Sequence, residues 1–121
     1  MDQRITRSLW KVTALSKSTP KLKNPVLIEG LPGIGNVGKV ACDFLIEELK
    51  ASPLYDFSSP TLPSSVFVNE KNTVELPKIE LYYKKAEGQR PDLLFLAGDV
   101  QPIDEVSCYE FCDKVLDVFE E

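Results

Sequence analysis

The segment Val26–Lys39, VLIEGLPGIGNVGK, constrains the fold of this chain more than any other part of its 121 residues. Its apolar start has strand character and stops at Gly30, and Pro32 with three more glycines forces a turn. Apolar residues then recur at helical spacing over about Asn36–Lys50. A strand, a glycine turn and a helix in this order are typical of an α/β domain.

The predicted helix carries an apolar face that should contact the sheet. The members of this face are Val37, Val40, Ala41, Phe44, Leu45 and Leu49. Asn36 is a candidate N-cap, because its side-chain oxygen can accept a free N–H group of the first turn. We therefore expect this helix to lie against the strand that precedes it, with its apolar face buried.

Further segments complete the predicted secondary structure. LWKVTALSK predicts a short edge strand over Leu9–Leu15, and Val66–Leu76 predicts a β-hairpin. The run DLLFLAG is almost continuously apolar, which is typical of a strand buried on both faces of a parallel sheet. The segment PIDEVSCYEFCDKVLDVF predicts a second helix.

Together these elements predict the α/β class, with a central, mostly parallel sheet flanked by helices and a β-hairpin insertion. Residues 1–24 are expected to form a basic leader with the edge strand, and residues 25–121 the α/β domain. A helix that follows a buried parallel strand normally returns the chain to another strand through a right-handed crossover. No such strand follows the second helix in this sequence. We therefore expect an incomplete sheet, the N-terminal half of a larger domain.

The glycine loop matches two nucleotide-binding patterns only in part. Gly33, Gly35 and Gly38 spell G-x-G-x-x-G, but a dinucleotide site also needs an acidic residue about 20 positions on, after the next strand. Asp56 is the nearest candidate, and the segment that follows it does not have the pattern of a crossover. The phosphate loop G-x-x-x-x-G-K needs Ser or Thr next, to bind Mg²⁺, and this chain has Val40. We therefore expect no ATP hydrolysis at this loop.

Two interpretations of the loop stay open. In the first, free N–H groups at the helix start bind an anion. The ligand loop would then consist of Gly33, Gly35, Asn36, Gly38 and Lys39. Lys39 stands where a cation opposes the helix dipole, which a bound anion or a nearby acidic side chain would relieve. In the second, the glycines only let the chain turn sharply and let the helix approach the sheet.

A second candidate site is AGDVQP, at the carboxyl end of the buried strand. Ligands of open α/β sheets bind at that edge, so Asp99 and Gln101 would lie beside the glycine loop if the two strands are neighbours. The chain has no histidine to act as a general base or metal ligand. Cys108 and Cys112 lack further zinc ligands and are expected in the core. The sequence therefore predicts no catalytic residues, no metal and no cofactor.

The net charge of −5 is divided unevenly along the chain. Residues 1–24 carry six Lys/Arg and one Asp, whereas residues 25–121 carry eight Lys/Arg and eighteen Asp/Glu. The acidic body disfavours nucleic acid, because that affinity depends on neutralised phosphates. No run approaches the ~18 consecutive apolar residues of a membrane span. Three cysteines, an odd number, suit a reducing compartment. We expect a cytoplasmic protein that binds neither nucleic acid nor membrane.

Three blocks of this sequence resemble a known family. LKNPVLIEGLPGIGNVGKVACDFLIEELKA, VELPKIELYY and LLFLAGDVQP, in this order, resemble the archaeal-type branch of the proteasome assembly chaperone family. The resemblance implies a fold similar to the nucleoside phosphorylase/hydrolase type, no established catalysis, homo- or hetero-oligomers, and proteasome α subunits as partners. It favours a non-enzymatic assembly chaperone. The alternative is an α/β protein that binds nucleotide or phosphate through Gly33–Lys39.

Overall fold

The computed structural model describes residues 10–16, 20–59, 62, 67–68, 70–75, 77–102 and 105–119. Its elements in chain order are β1 (Lys11–Ala14), β2 (Val26–Gly30), α1 (Val37–Leu49), β3 (Ser52–Ser58), β4 (Phe67–Val68), β5 (Val74–Glu75), β6 (Ile79–Lys84), β7 (Leu93–Gly98) and α2 (Glu105–Phe119). One turn of 3₁₀ helix, Ile34–Asn36, leads into α1. Neither helix in these ranges is long and apolar enough to span a bilayer.

Five strands form the main sheet, in the order β1-β3-β6-β7-β2. Only β2 and β7 are parallel, and the other three pairings are antiparallel. The predicted mixed α/β class is confirmed, but the prediction of a mostly parallel sheet is wrong. The physical reason lies in the connections, because the short link from Lys84 to Leu93 can join only antiparallel neighbours, whereas a parallel pair needs a crossover of about a dozen residues.

The two smaller β predictions are confirmed within the described residues. β1 lies at one edge of the sheet and pairs with β3, although Leu9 falls outside the described residues. β4 and β5 form a separate two-stranded antiparallel sheet, in which Phe67 lies opposite Glu75 and Val68 opposite Val74. This hairpin is therefore an insertion between β3 and β6, as its sequence predicts.

The helices cover opposite faces of the sheet, and β7 contributes to both cores. On one face, Leu94 and Leu96 belong to the same buried cluster as Phe111 and Val115 of α2. Trp10 joins this cluster, with its ring centroid 4.9 Å from that of Phe111. The next residues along β7, Phe95 and Ala97, belong to the cluster under α1. This alternation follows from the two-residue period of a strand.

The predicted bounds of α1 are correct to one residue, but of its predicted buried face only Leu45 and Leu49 turn toward the sheet. Toward the sheet α1 turns Cys42, which is buried, and Leu45, Ile46 and Leu49, which are partly buried. The remaining apolar positions form what we call the apolar stripe: Ile34, Val37, Val40, Ala41 and Phe44, all of them exposed. The helix has two apolar faces, and the sequence pattern does not show which of them meets the sheet.

Cys112 is a second correction to the predicted core. Phe111 and Val115 take the positions of α2 that face the sheet, so Cys112 is exposed and Cys108 half-buried. The Cys108 thiol donates a hydrogen bond to the carbonyl oxygen of Pro102, at 3.4 Å. Cys42, on α1, is the buried cysteine of the three.

Candidate functional site

The edge of the sheet where β2 and β7 end carries both predicted sites. These strands are parallel neighbours, with Gly30 opposite Ala97, so the glycine loop and Asp99 leave the sheet side by side. A cleft of about 220 Å³ opens there between α1 and the ends of β6 and β7. It is lined by Lys39, Asp43, Ile46, Glu47, Lys78, Glu80, Tyr82, Ala97, Gly98 and Asp99. We call it the strand-end cleft.

Only two of the seven predicted site residues line this cleft together, namely Lys39 and Asp99. Gln101 lines a different groove, on the side of the sheet that α2 covers. The other members of the predicted ligand loop, Gly33, Gly35, Asn36 and Gly38, are exposed and line none of the three clefts described here. The structure therefore separates residues that sequence spacing places in one site.

The loop owes its shape to two residues with positive φ. Gly35 has φ of 74° and Asn36 has φ of 53°, both in the left-handed region. The Asn36 N–H group donates to the carbonyl oxygen of Gly33, at 3.1 Å. The Asn36 side chain makes no capping hydrogen bond, so the predicted cap is wrong. A capping side chain normally starts from extended backbone, which Asn36 does not adopt.

The close approach of α1 to the sheet depends on a glycine before the loop. A Cβ atom on Gly30 would lie 2.1 Å from Cβ of Cys42 and 2.5 Å from the carbonyl oxygen of Gly38. A Cβ atom on Gly33 or on Gly38 would meet no atom within 4 Å. The architectural interpretation of the glycines thus applies to Gly30 for packing and to Gly35 for the turn.

Lys39 has an acidic partner within its own helix. Its Nζ atom lies 2.8 Å from Oδ2 of Asp43, one helical turn later. An ion pair of this kind contributes about 0.3–0.5 kcal/mol. It also accounts for a cation in the first turn of a helix without a bound anion.

The charges of the strand-end cleft disfavour an anionic ligand. Two lysines face four carboxylates among its lining residues. Burial raises the pKa of Glu80, and the nearby carboxylate of Asp56 raises it further. Burial, with the charge of Glu80 beside it, raises the pKa of Tyr82 to about 12. The phenol therefore stays protonated at neutral pH, and the cleft as a whole repels phosphate.

Asp99 acts as a brace between two strand ends. Its Oδ2 atom accepts a hydrogen bond from the N–H group of Lys78 at 3.3 Å, and its own N–H group donates to the carbonyl oxygen of Lys78 at 2.9 Å. A Cβ atom on the preceding Gly98 would lie 2.9 Å from Cγ1 of Ile79, so the two segments are in close contact. The Oδ2 atom and the N–H group of Asp99 are thus engaged by the fold itself.

The remaining chemistry of the described residues is sparse. No group of three or more Cys, Asp or Glu side chains in these ranges is arranged to hold a metal ion. Asp56, the candidate ribose ligand, lies in β3 opposite Glu80, and β6 and β7 separate it from β2. The dinucleotide pattern therefore lacks its acidic partner in space as well as in sequence.

Asp92 is a buried carboxylate that the sequence analysis missed. It is 4% exposed, and it accepts hydrogen bonds from the N–H groups of Lys23, at 2.7 Å, and Ala86, at 2.8 Å. These bonds, led by the one from Lys23, lower the pKa of Asp92. The available signal was an aspartate directly before an apolar strand, where nearby loops need an acceptor. Asp92 therefore ties the segment before β2 to the segment after β6.

Comparison with known proteins identifies the family. The family model described as the PAC2 family matches residues 27–121, most of the chain. The chain belongs to the PAC2 family. The family predicted from the three sequence blocks is thereby confirmed.

Solved structures of PAC2 relatives share the fold of this chain. PbaB of Pyrococcus furiosus, described as an archaeal proteasome activator, is 37% identical and superposes with a TM-score of 0.81 over 92% of this chain. PbaA of the same organism, described as an archaeal homolog of proteasome-assembly chaperone, is 20% identical with a TM-score of 0.59 over 89% of this chain. The uncharacterized protein MJ1210 of Methanocaldococcus jannaschii is 28% identical over 88% of this chain.

This PAC2 chain spans less than half the length of these relatives. It covers 46% of PbaB, 42% of PbaA and 40% of MJ1210. The matched region is therefore only a part of each of these relatives.

Proposed function

We propose that this PAC2 chain is a non-enzymatic, proteasome assembly chaperone-like protein that binds proteasome α subunits. The observation that carries the proposal is the likeness to PbaB, which is 37% identical over 92% of this chain and is described as a proteasome activator. PbaA, which is described as an archaeal homolog of proteasome-assembly chaperone, points to the same class of partner. We further propose that the chain works as a homo- or hetero-oligomer.

The apolar stripe is the surface that we assign to the α subunit. Ile34, Val37, Val40 and Phe44 are 104%, 75%, 64% and 60% exposed, so more than half of the surface of each one is open to a partner. Exposed apolar residues that are contiguous mark sites of protein contact. Charged side chains, among them Lys39 and Asp43, border the stripe and would form its polar rim. A protein partner can bury such a surface without any catalytic group.

The ligand-binding alternative is less favoured by the geometry. Lys39 is paired with Asp43, Asp99 braces β6 against β7, and the cleft between them is rich in carboxylates. The Lys39 ammonium is therefore already paired, and the carboxylates of the cleft would repel a phosphate. The likeness to the nucleoside phosphorylase/hydrolase fold stays a prediction. We also place the chain in the cytoplasm, because its free thiols suit a reducing compartment.

The test is a titration of the fluorescently labelled chain with purified proteasome α subunits, read by anisotropy. Wild type should bind, and Val40→Glu combined with Phe44→Glu should weaken binding at least tenfold, because two carboxylates would be buried in an apolar contact. The matched control is Val68→Glu, an equally exposed valine (67%) on the β4–β5 hairpin. It should bind as wild type does.

Each outcome of this titration decides one part of the proposal. No binding by the wild-type chain would reject the α subunit as partner. Equal binding by the double variant and the control would remove the apolar stripe from the contact. A parallel calorimetric titration with ATP, ADP and phosphate should give no heat, and a saturable heat that is lost in Lys39→Ala would favour the ligand-binding alternative.

A further inference from the structure

Two carboxylic side chains, Asp56 on β3 and Glu80 on β6, face each other across an inner pair of strands. The two residues lie directly opposite each other in the antiparallel register of β3 and β6. Residues in such positions point to the same face of the sheet, with Cβ atoms about 4.5–5.5 Å apart. Two ionised carboxylates in this arrangement repel each other and destabilise the pairing of their strands. The pair therefore needs a group or a proton that removes the repulsion.

One oxygen of Asp56 is placed to accept a hydrogen bond. Its Oδ1 atom is shielded from solvent, and no donor in the described part of the chain reaches it. A buried acceptor without a donor is costly, so folded proteins leave few of them. Thr13, opposite Asp56 on β1, makes no hydrogen bond to this atom. Glu80 is the neighbour on the other side, and a protonated carboxyl group carries one O–H donor.

We infer that Glu80 carries a proton that it donates to Oδ1 of Asp56, and that this shared proton makes the pairing of β3 with β6 sensitive to pH. The proton removes the repulsion between two carboxylates and gives the buried oxygen its donor. The β3–β6 pair joins β1 and β3 to the other three strands of the sheet. Loss of the proton therefore weakens the sheet at an inner junction.

The surroundings of Glu80 favour its protonated form. The charged and titratable groups that face it lie on both sides of the strand-end cleft. They are Lys39, Asp43 and Glu47 on α1, Asp56 on β3, Lys78 and Tyr82 before and within β6, and Asp99 after β7. Burial raises the pKa of Glu80 most strongly, and Asp56 and Asp99 raise it further, whereas Lys78 and a hydrogen bond from Tyr82 lower it. The net result is a raised pKa, so Glu80 keeps its proton to a higher pH than a free glutamate does.

Carboxyl-detected NMR of the ¹³C-labelled wild-type chain tests the shared proton directly. The Cδ signal of Glu80 and the Cγ signal of Asp56 should both move in one step, with a midpoint above the value of about 4.3 for a free glutamate. In Asp56→Asn the midpoint of Glu80 should fall, because the neighbouring charge is absent. A Glu80 midpoint that is the same in Asp56→Asn, or an Asp56 signal that does not move in the Glu80 step, would overturn the inference.

Thermal unfolding from about pH 4 to about pH 8 tests the sensitivity of the fold to this proton. The pKa of Glu80 is raised in the folded state, so its protonated form stabilises the fold. This contribution is complete below the unfolded pKa of about 4.3 and is lost as pH rises through the folded value. Glu80→Gln keeps a donor for Asp56 and does not titrate. Its Tm should exceed that of wild type by a margin that grows as the pH rises.

Glu29→Gln is the matched control, because it is the same substitution at an exposed glutamate on β2. Its Tm should follow that of wild type across the whole pH range. A margin between Glu80→Gln and wild type that does not grow with pH would overturn the inference. So would a margin of the same size in Glu29→Gln, because the effect would then come from net charge alone.

Discussion

At the scale of single residues, Gly30 is the described glycine at which an added side chain would meet the closest contacts. Gly30→Ala would place a methyl group 2.1 Å from Cβ of Cys42 and against the carbonyl oxygen of Gly38, so α1 would have to move away from β2. We expect a loss of about 1–3 kcal/mol in the free energy of unfolding. Urea unfolding followed by circular dichroism measures this loss.

Gly38→Ala is the matched control for this prediction. A Cβ atom on Gly38 would meet no atom within 4 Å, and the residue lies in the first turn of α1. Replacing an unstrained glycine reduces the entropy of the unfolded chain, so we expect a gain of about 0.4–1 kcal/mol. Equal effects of the two substitutions would show that Gly30 does not set the distance between helix and sheet.

Asp92 gives the fold a predictable dependence on pH. Its two backbone hydrogen bonds lower its pKa in the folded state, so the ionised carboxylate stabilises the fold. This contribution is complete above the unfolded pKa of about 3.9 and is lost as pH falls through the lower folded value. Asp92→Asn should therefore lower Tm at pH 7, and its deficit against wild type should shrink on acidification.

Thermal unfolding of both proteins between neutral and strongly acidic pH checks the Asp92 prediction. Asp113→Asn, on the exposed side of α2, controls for the change in net charge. The deficit in Tm of Asp92→Asn should not stay constant as the pH falls below the pKa of a free aspartate. A constant deficit would contradict an ionised, hydrogen-bonded carboxylate at position 92.

At the scale of elements, the helices and strands were largely predictable, but their environment was not. The bounds of α1 and the buried character of β7 follow from local spacing and from apolar runs. The direction of β3 and β6 depends on which strands meet in space, which no local pattern encodes. The face of α1 that meets the sheet depends likewise on Gly30, because the absence of a side chain there leaves room for Cys42.

The two phenylalanines of the helices should respond differently to truncation. Phe111 of α2 is buried, with its ring 4.9 Å from Trp10 and 5.7 Å from Phe57, so Phe111→Ala should cost about 3–5 kcal/mol of stability. Phe44 of α1 is exposed, and Phe44→Ala should change stability by no more than about 0.5 kcal/mol. Parallel denaturant titrations compare the two.

The comparison of the two truncations also tests the orientation of α1. A cost of several kcal/mol for Phe44→Ala in the isolated chain would mean that the apolar stripe is buried in the chain's own core or in a self-association. In that case the stripe could not be a free surface for a partner. The original sequence expectation for the face of α1 would then be correct.

At the scale of the whole molecule, the family could be predicted from the sequence, but the grouping of the site residues could not. The three blocks that contain VLIEGLPGIGNVGK, VELPKIELYY and LLFLAGDVQP predicted the proteasome assembly chaperone family, and the match to the PAC2 family model confirms it. The same blocks suggested one ligand site, yet Lys39 and Asp99 share a cleft while Gln101 lies across the sheet. Asp99 and Gln101 lie beyond the end of β7, where the regular alternation of a strand no longer fixes which side of the sheet a residue faces, so spacing alone could not group them.

We propose above that this chain acts through protein contact with proteasome α subunits. The most direct measurement is the mass of the chain by light scattering on a sizing column, alone and mixed with purified α subunits. We expect a shared peak whose mass exceeds that of either component. A mixture in which the chain and the α subunits elute separately, each at the mass it has alone, would contradict the claim.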